Sequence, residues 1–365
     1  MSSSSQSSSD RVADWRSYPC ICGSGLMHRE CCAQDSAVEM TLDGLFAVIT
    51  MNNTQALGSA GEGWSEHTKE LADWIESISS SLPDMSNARV AVIGAGNCSD
   101  IPLEFLSREF KTVHLFDLDW AALSQARSRL DPVLAERVTC YSYDVTGLYT
   151  SFVPKVLQHL YAGATARVFQ AFQKFGSSSA AEPRPRLPDT YDLVLSINVV
   201  SQLFCPFMHS LAHAAAQARR FKDEESFATF GRWIRRVGDT HVVREHLRFL
   251  AAATNDGGRV LISTDRFFWG FENGEAAPAA QMFREPESML DPGNLERMAQ
   301  AGLALPGTGV GSACKDHFDQ QDTRRWLWRF NPQQAYLVEG YELAPKSAPS
   351  PKNSRRARRR RMLKS

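Results

Sequence analysis

The chain has 365 residues, 43% apolar and 22% charged, enough to bury one substantial core with attachments or two modest domains. No apolar run approaches the roughly 18 residues that a membrane span requires, and the Ser-rich start lacks the apolar stretch of a secretory signal. A transmembrane protein and a secreted disulfide scaffold are therefore not expected, and a cytoplasmic, reducing setting is. The formal net charge of −1 conceals an asymmetry: residues 346–365 carry nine Lys or Arg and no acid, leaving 31 basic against 41 acidic residues elsewhere.

In chain order, residues 1–16 offer no apolar pattern and are expected to be disordered. The next stretch is Pro19-Cys20-Ile21-Cys22-Gly23-Ser24-Gly25-Leu26-Met27-His28-Arg29-Glu30-Cys31-Cys32. Cys20 and Cys22 flank one residue, the glycines let the chain reverse, and Cys31 with Cys32 return two more sulfurs, enough for a closed tetrahedral zinc site. A pair of disulfides or free thiols is the alternative. The stretch resembles the SEC-C motif, a short zinc-binding module appended to many proteins. That resemblance implies Cys20, Cys22, Cys31 and Cys32 as ligands, with His28 a bystander because its family's variable fourth ligand is Cys32 here. A closed site holds a fold together and does not activate water, so the zinc is expected to be structural. Cys98, Cys140, Cys205 and Cys314 have no partner spacing, and Cys140 and Cys205 sit in or beside apolar strand patterns, as buried thiols do.

The zinc knuckle is bounded at 17–35, and a helical cap is expected over 36–85. Ala37 to Met51 has near-helical apolar spacing through Val38, Leu42, Leu45 and Phe46, and Trp64 to Leu82 repeats it with Leu71, Trp74, Ile75 and Ile78. The second helix directly precedes the next strand and is read either as a cover over a ligand entrance or as plain packing.

Val90-Ala91-Val92-Ile93-Gly94-Ala95-Gly96 reads as a strand ending in a tight turn, and Val113-His114-Leu115-Phe116-Asp117 as a second strand ending in an acid. Gly94 and Gly96 let the backbone turn and approach a ligand, and Asp117 can accept both hydroxyls of a ribose. A dinucleotide fold prefers a third glycine where this chain has Ser99, which weakens a nicotinamide oxidoreductase reading.

The stretch resembles the class I S-adenosylmethionine-dependent methyltransferases, and the resemblance runs over residues 86–343. Asp117-Leu-Asp-Trp-Ala-Ala-Leu123 looks like the family's acid, spacer and helix. Val138 to Asp144 is similar to its third strand, Tyr191 to Gln202 to its fourth, and Gly258 to Asp265 to its fifth. Arg325 to Glu342 about Asn331-Pro332 resembles its closing hairpin. The resemblance implies an α/β, Rossmann-like seven-stranded methyltransferase sheet with a closing antiparallel hairpin, beside the small zinc knuckle and helical segment. It implies further that Gly94 and Gly96 face the methionine part of the cofactor, that Asp117 holds the ribose, that Asp144 lies beside the adenine amino group, and that Asn198 sits under the sulfonium.

Two insertions are expected. Residues 152–188 read as one helix, Phe152 to Phe175, and a Pro- and Ser-rich linker; residues 206–253 read as a long helix or helical pair ending in a turn at Asn255-Asp-Gly-Gly258. Residues 344–365 form a basic tail able to meet RNA, DNA, anionic lipid or the acidic body, or simply to be solvated. No catalytic residue is assignable: His209 and His213 are four apart and suit either a base or an ordinary surface pair, and Gln202 suits either a substrate contact or a turn cap. The expected activity is methyl transfer from S-adenosylmethionine to an unidentified acceptor. The alternative is a non-catalytic zinc-dependent adaptor with a methyltransferase-like body, docking through knuckle and tail to a protein or ribonucleoprotein. Because knuckle and cofactor residues lie in separate stretches, loss of zinc is expected to spare cofactor binding.

Overall fold

A computed structural model describes residues 15–59, 62–177, 187–203, 231–232, 241–272, 274–305 and 309–346. The Ser-rich lead, the Pro-rich linker, most of the 206–253 insertion with His209 and His213, Cys205, and the basic tail from 347 lie outside the described residues.

The frame is a mixed sheet of eight strands. Strands β1 (Arg89–Ile93), β2 (Thr112–Asp117), β3 (Val138–Ser142), β4 (Tyr191–Ser196) and β5 (Thr254–Glu272) are joined by β6 (Glu275–Ala276), β7 (Phe318–Asn331) and β8 (Gln334–Pro345). Their order is β3-β2-β1-β4-β5-β8-β7, with β6 paired to β5 off this path. The β1/β2, β2/β3, β1/β4 and β4/β5 pairs are parallel, and β5/β8 and β7/β8 are antiparallel. This is the sheet that the resemblance implies: parallel strands whose order reverses between β1 and β4, closed by a C-terminal hairpin.

The sequence forms this frame because the central strands are apolar on both faces, as a parallel sheet covered on both sides requires. Along β1, Val90 and Val92 point into one core with Leu115 and Leu193, while Ala91 and Ile93 point into the other with Phe116 and Val194. Helix α1 (Ser36–Ser59) covers the second of these faces and α2 (Ser65–Ser80) the first. Helices α3 (Leu103–Glu109) and α4 (Trp120–Ser128) join α2. Asp119 starts α4 by accepting the Ala122 N–H at 3.1 Å, satisfying one of the orphan donors of a helix start. No helix among the described residues is long and apolar enough to cross a membrane.

Three expectations about elements change. The helix read over Phe152–Phe175 is two, Phe152–Tyr161 and Thr165–Ser177, because Gly163 adopts φ 73° and turns the chain between them. The turn expected at Asn255–Gly258 lies inside β5, where a register shift between Tyr191 and Leu193 absorbs the extra residues and Gly257 takes φ 80°. The fifth strand does not stop at Asp265 but runs on to Glu272 beside β8, with a second shift between Asp265 and Phe267.

The separation of knuckle and sheet is also one of sequence and not of space. Trp15, Ile21, Val38, Leu42 and Phe46 belong to the same core as Ile93, Phe116, Tyr143 and Val194.

At Gly340 in β8, a Cβ would lie 2.4 Å from Trp74 Cζ3 and 3.1 Å from the Trp326 ring, which meet edge to face at this point with centroids 6.2 Å apart. Gly340→Ala is expected to destabilise the protein by about 1–3 kcal/mol through overpacking, read as a lowered urea midpoint with unchanged slope.

Candidate functional site

A cavity of about 200 Å³ opens at the carboxyl ends of β1, β2 and β4, where the strand order reverses and open α/β sheets place their ligands. Gly94, Gly96, Asp117, Asp144 and Asn198 all line it. The loop after β1 is shaped by backbone handedness: Gly94, Gly96 and Cys98 have φ of 69°, 50° and 51°. The first two avoid strain by lacking a Cβ, whereas Cys98 holds a left-handed conformation with its side chain buried. Gly94 is also required by contact, since a Cβ there would lie 2.2 Å from Val199 Cγ2.

Asp117 ties this loop to the end of β2. Its Oδ2 accepts the Gly96 N–H and its Oδ1 the Asp119 N–H, both at 2.8 Å. Each oxygen keeps lone-pair capacity for a ligand hydroxyl. Burial pushes this carboxyl up to about 6, against the pull of those backbone N–H groups. Two residues on, Asp119 Oδ2 accepts the Asn53 Nδ2–H at 2.6 Å, which brings the end of α1 to the cavity.

Asp144 stands past the end of β3, not at it. Its Oδ1 gathers the Thr146 N–H, the Thr146 hydroxyl and the Gly147 N–H at 2.9, 2.6 and 3.0 Å, and its Oδ2 the Tyr149 N–H at 2.9 Å. Four donors match the roughly four lone-pair positions of a carboxylate, so Asp144 serves chiefly to fold the 143–149 loop. That loop gives Tyr143, Val145, Thr146 and Tyr149 to the cavity wall.

Asn198 takes φ 52°, which Asn tolerates better than most residues. Its N–H donates to Ser263 Oγ at 3.0 Å, and its Oδ1 accepts from that hydroxyl at 2.8 Å. Its Nδ2 faces His67 Nε2 at 3.3 Å. His67 is fully buried; its Nδ1 accepts the Trp326 indole N–H at 2.8 Å. The same Nε2 lies 3.6 Å from Asp100 Oδ2. The His67 ring stacks on Trp328 at 4.6 Å, and Trp64 meets Trp328 edge to face at 4.9 Å. Asp100, Trp64 and Trp328 all line the cavity.

These residues were not singled out from the sequence. The alternation Trp326-Leu327-Trp328 marks two indoles on one strand face, and Trp64 with His67 share a helical face, but nothing local says that the two faces meet. Of the two readings offered for the segment from Trp64 to Leu82, packing describes α2, which lies along β7, while Trp64 at the start of that segment joins Ile49 and Asn53 of α1 in the cavity lining.

Asp265, at the same end of the sheet, is 5% exposed, with Oδ2 accepting from the Ser201 hydroxyl at 3.1 Å and Oδ1 without a partner. Burial, reinforced by the Asp100 charge, pushes it up to about 7. Glu339, equally buried, has Arg266 Nη1 at 2.5 Å and Arg325 Nε at 2.6 Å, whereas no ion pair forms at Asp265 among the described residues.

The four cysteines of the knuckle converge. The Sγ atoms of Cys20, Cys22, Cys31 and Cys32 lie within 4.8 Å of one another, and none is in a disulfide. His28 stands outside this set, fully buried with its ring 5.0 Å from Trp15 and 5.5 Å from Phe46. Burial depresses it to about 4.

No family model matches the chain, and no curated protein sequence matches it. Among solved structures, it is similar to the N-methyltransferase NodS from Bradyrhizobium japonicum WM9, at 9% identity and TM-score 0.35 over 76% of this chain and 95% of that one. It is similar also to the YcgJ protein of Bacillus subtilis, at 13% identity and TM-score 0.37 over 77% and 100%. An S-adenosylmethionine-dependent methyltransferase from Mesorhizobium loti gives 12% and 0.35 over 75% and 99%. At these identities and TM-scores the likeness assigns neither activity nor substrate to this chain.

The raised Asp265 carboxyl fixes a pH dependence. The folded state keeps its proton up to about 7, whereas the unfolded chain loses it near 3.9, so its cost is absent at low pH and grows as pH rises through that window. Asp265→Asn keeps an acceptor for Ser201 and removes the charge. The variant is expected to match the parent in thermal stability near pH 4 and to exceed it at pH 8 by about 3 kcal/mol, measured as diverging melting temperatures.

Proposed function

We propose that the chain binds S-adenosylmethionine in this cavity and transfers its methyl group to an acceptor, with a zinc ion held structurally by the four thiolates. The observation that carries the cofactor reading is a complementary set of polar atoms on one cavity lining. Asp117 offers acceptor capacity suited to ribose hydroxyls, while Asn97 Nδ2 and Trp328 Nε1 are buried donors with no acceptor, suited to an amino-acid carboxylate. Leaving two such donors unpaired costs free energy that a ligand recovers. When bound, the cofactor supplies a methyl group on a sulfonium, and in-line transfer from it depends on alignment and desolvation more than on a dedicated acid or base.

The chain's own residues supply those conditions. Ile49, Trp64 and Trp328 give the cavity apolar lining that would shield a bound ligand from water. Ser263 holds the Asn198 amide, and His67, bonded by Trp326, sets its Nε2 between that amide and the Asp100 carboxylate. In this reading 17–35 is the knuckle, 36–85 its cap and 86–343 the catalytic domain, and the Arg-rich tail remains available to an anionic partner.

The zinc reading rests on the donor set. Sulfur separations of 3.5 Å for Cys22–Cys31 and 3.9 Å for Cys31–Cys32 bracket the edge of about 3.8 Å that a tetrahedron with metal–sulfur bonds of about 2.3 Å requires. Four sulfurs gathered at these separations, none in a disulfide, match the donor set of a closed zinc site.

Calorimetric titration with S-adenosylmethionine, S-adenosylhomocysteine and NAD tests the cofactor reading; the first two are expected to bind at micromolar level and NAD not at all. Silence from all three favours the adaptor. Asp117→Ala is expected to weaken adenosylhomocysteine by about tenfold or more. In the parent, affinity is expected to rise between pH 5 and 7, as a carboxyl titrating at about 6 becomes the better acceptor; a flat profile counts against Asp117 as the ribose ligand. Metal analysis is expected to find about one zinc per chain, lost in a Cys22→Ser/Cys31→Ser variant.

A further inference from the structure

The cysteine knuckle is wired into the cavity wall. Ile21, the single residue between Cys20 and Cys22, is fully buried, and its carbonyl accepts the N–H of Asp144 at 2.7 Å. Asp144 is the residue whose carboxylate folds the 143–149 loop onto the cavity. The side chain of Ile21 lies in the same core as Tyr143, Val145 and Tyr149 of that loop. One backbone hydrogen bond and one shared apolar core thus join the turn between Cys20 and Cys22 to the 143–149 loop of the cavity wall.

A second connection runs through α1. The Trp15 indole N–H donates to Asp43 Oδ1 at 2.9 Å, and Trp15 stacks on Phe46 with centroids 5.2 Å apart. Further along the same helix, Asn53 reaches the cavity and bonds Asp119. Trp15, just ahead of the knuckle and in ring contact with its His28, as is Phe46, links the knuckle to the helix that lines the cavity.

We propose that the Cys20–Ile21–Cys22 turn, held by its metal, is a positioning element of the cofactor site, so that zinc and cofactor bind cooperatively. A two-residue-spaced thiolate pair on one metal fixes the dihedrals of the residue between, and hence the direction of the Ile21 carbonyl; without the metal the turn gains freedom, and the Asp144 N–H loses a fixed acceptor. Ordering the 143–149 loop must then be done by the cofactor, which lowers its affinity. This reverses the independence of knuckle and cofactor binding that separation along the chain suggests. It rests on the cofactor reading given above.

The test is a closed thermodynamic cycle on the full chain, kept reduced. Adenosylhomocysteine is titrated into zinc-loaded protein and into protein stripped by a chelator, and zinc affinity is measured by competition with a chromophoric chelator, with and without saturating adenosylhomocysteine. Zinc is expected to tighten adenosylhomocysteine by about tenfold, and adenosylhomocysteine to tighten zinc by the same factor, because coupling between two sites is reciprocal. Amide exchange in residues 143–149 is expected to accelerate on stripping while that of β1 and β2 does not. If stripping unfolds the chain, zinc-loaded Ile21→Ala replaces it: adenosylhomocysteine binding is expected to weaken several-fold with zinc content unchanged. Equal affinity with and without zinc, or an unaltered Ile21→Ala, overturns the proposal. Failure of adenosylhomocysteine to bind even the zinc-loaded protein overturns the cofactor reading instead.

Discussion

The bond from the Gly96 N–H to Asp117 Oδ2 joins the loop after β1 to the end of β2 and sets the geometry of everything above the sheet. A parallel sheet whose order reverses between β1 and β4 leaves a crevice at its carboxyl edge, but a crevice is shaped only when the loops around it are pinned. Here the pin is a carboxylate clamped by two backbone N–H groups, with φ > 0 at Gly94, Gly96 and Cys98 bending the loop back toward it. The Gly94 N–H, 2.7 Å from Phe116 O, continues the same junction along the backbone.

From this junction the polar atoms of the cavity divide by role. Asp117 retains acceptor capacity toward the interior, Asp144 spends most of its own on a loop, and Asp119 spends its own on a helix start and on Asn53. Three acids within one region thus do three different things, and the difference lies in how many local donors each has already collected. Beside these acids, Trp326 donates to His67 Nδ1, His67 Nε2 lies 3.6 Å from Asp100 Oδ2, and Asn97 and Trp328 hold buried N–H groups with no acceptor of their own. Asp265 completes the picture as a buried carboxyl with one hydroxyl for company, whereas the buried Glu339 sits between two guanidinium groups.

The knuckle brings a second centre of rigidity into the same core. The four-cysteine segment adds Ile21 to the main core, with Tyr18 and Ala33 packed against it. Its His28 lies in an aromatic slot beside Trp15 and Phe46, filling space that continues from the thiolates to α1. Knuckle, α1 and the 143–149 loop consequently form one packed layer on the face of the sheet that the cavity shares.

The sequence by itself determined the frame. Apolar runs at 90–93, 113–116 and 191–195 specify buried parallel strands, Asn331-Pro332 marks the turn of the closing hairpin, and paired glycines followed by a strand-end acid locate the cavity, because each of these signals is local: side-chain periodicity, backbone handedness and turn chemistry act over a few residues. The clustering of Cys20, Cys22, Cys31 and Cys32 was legible for the same reason, all four lying within a single reversal of the chain. What only the tertiary structure decided are contacts between stretches far apart in sequence. His67 meets Trp326 across 259 positions and Asn198 across 131; Ile21 meets Asp144; and α1 brings Ile49 and Asn53 to the cavity. No periodicity encodes such pairings, since they depend on how already formed elements pack and on which buried polar atoms find partners once they do.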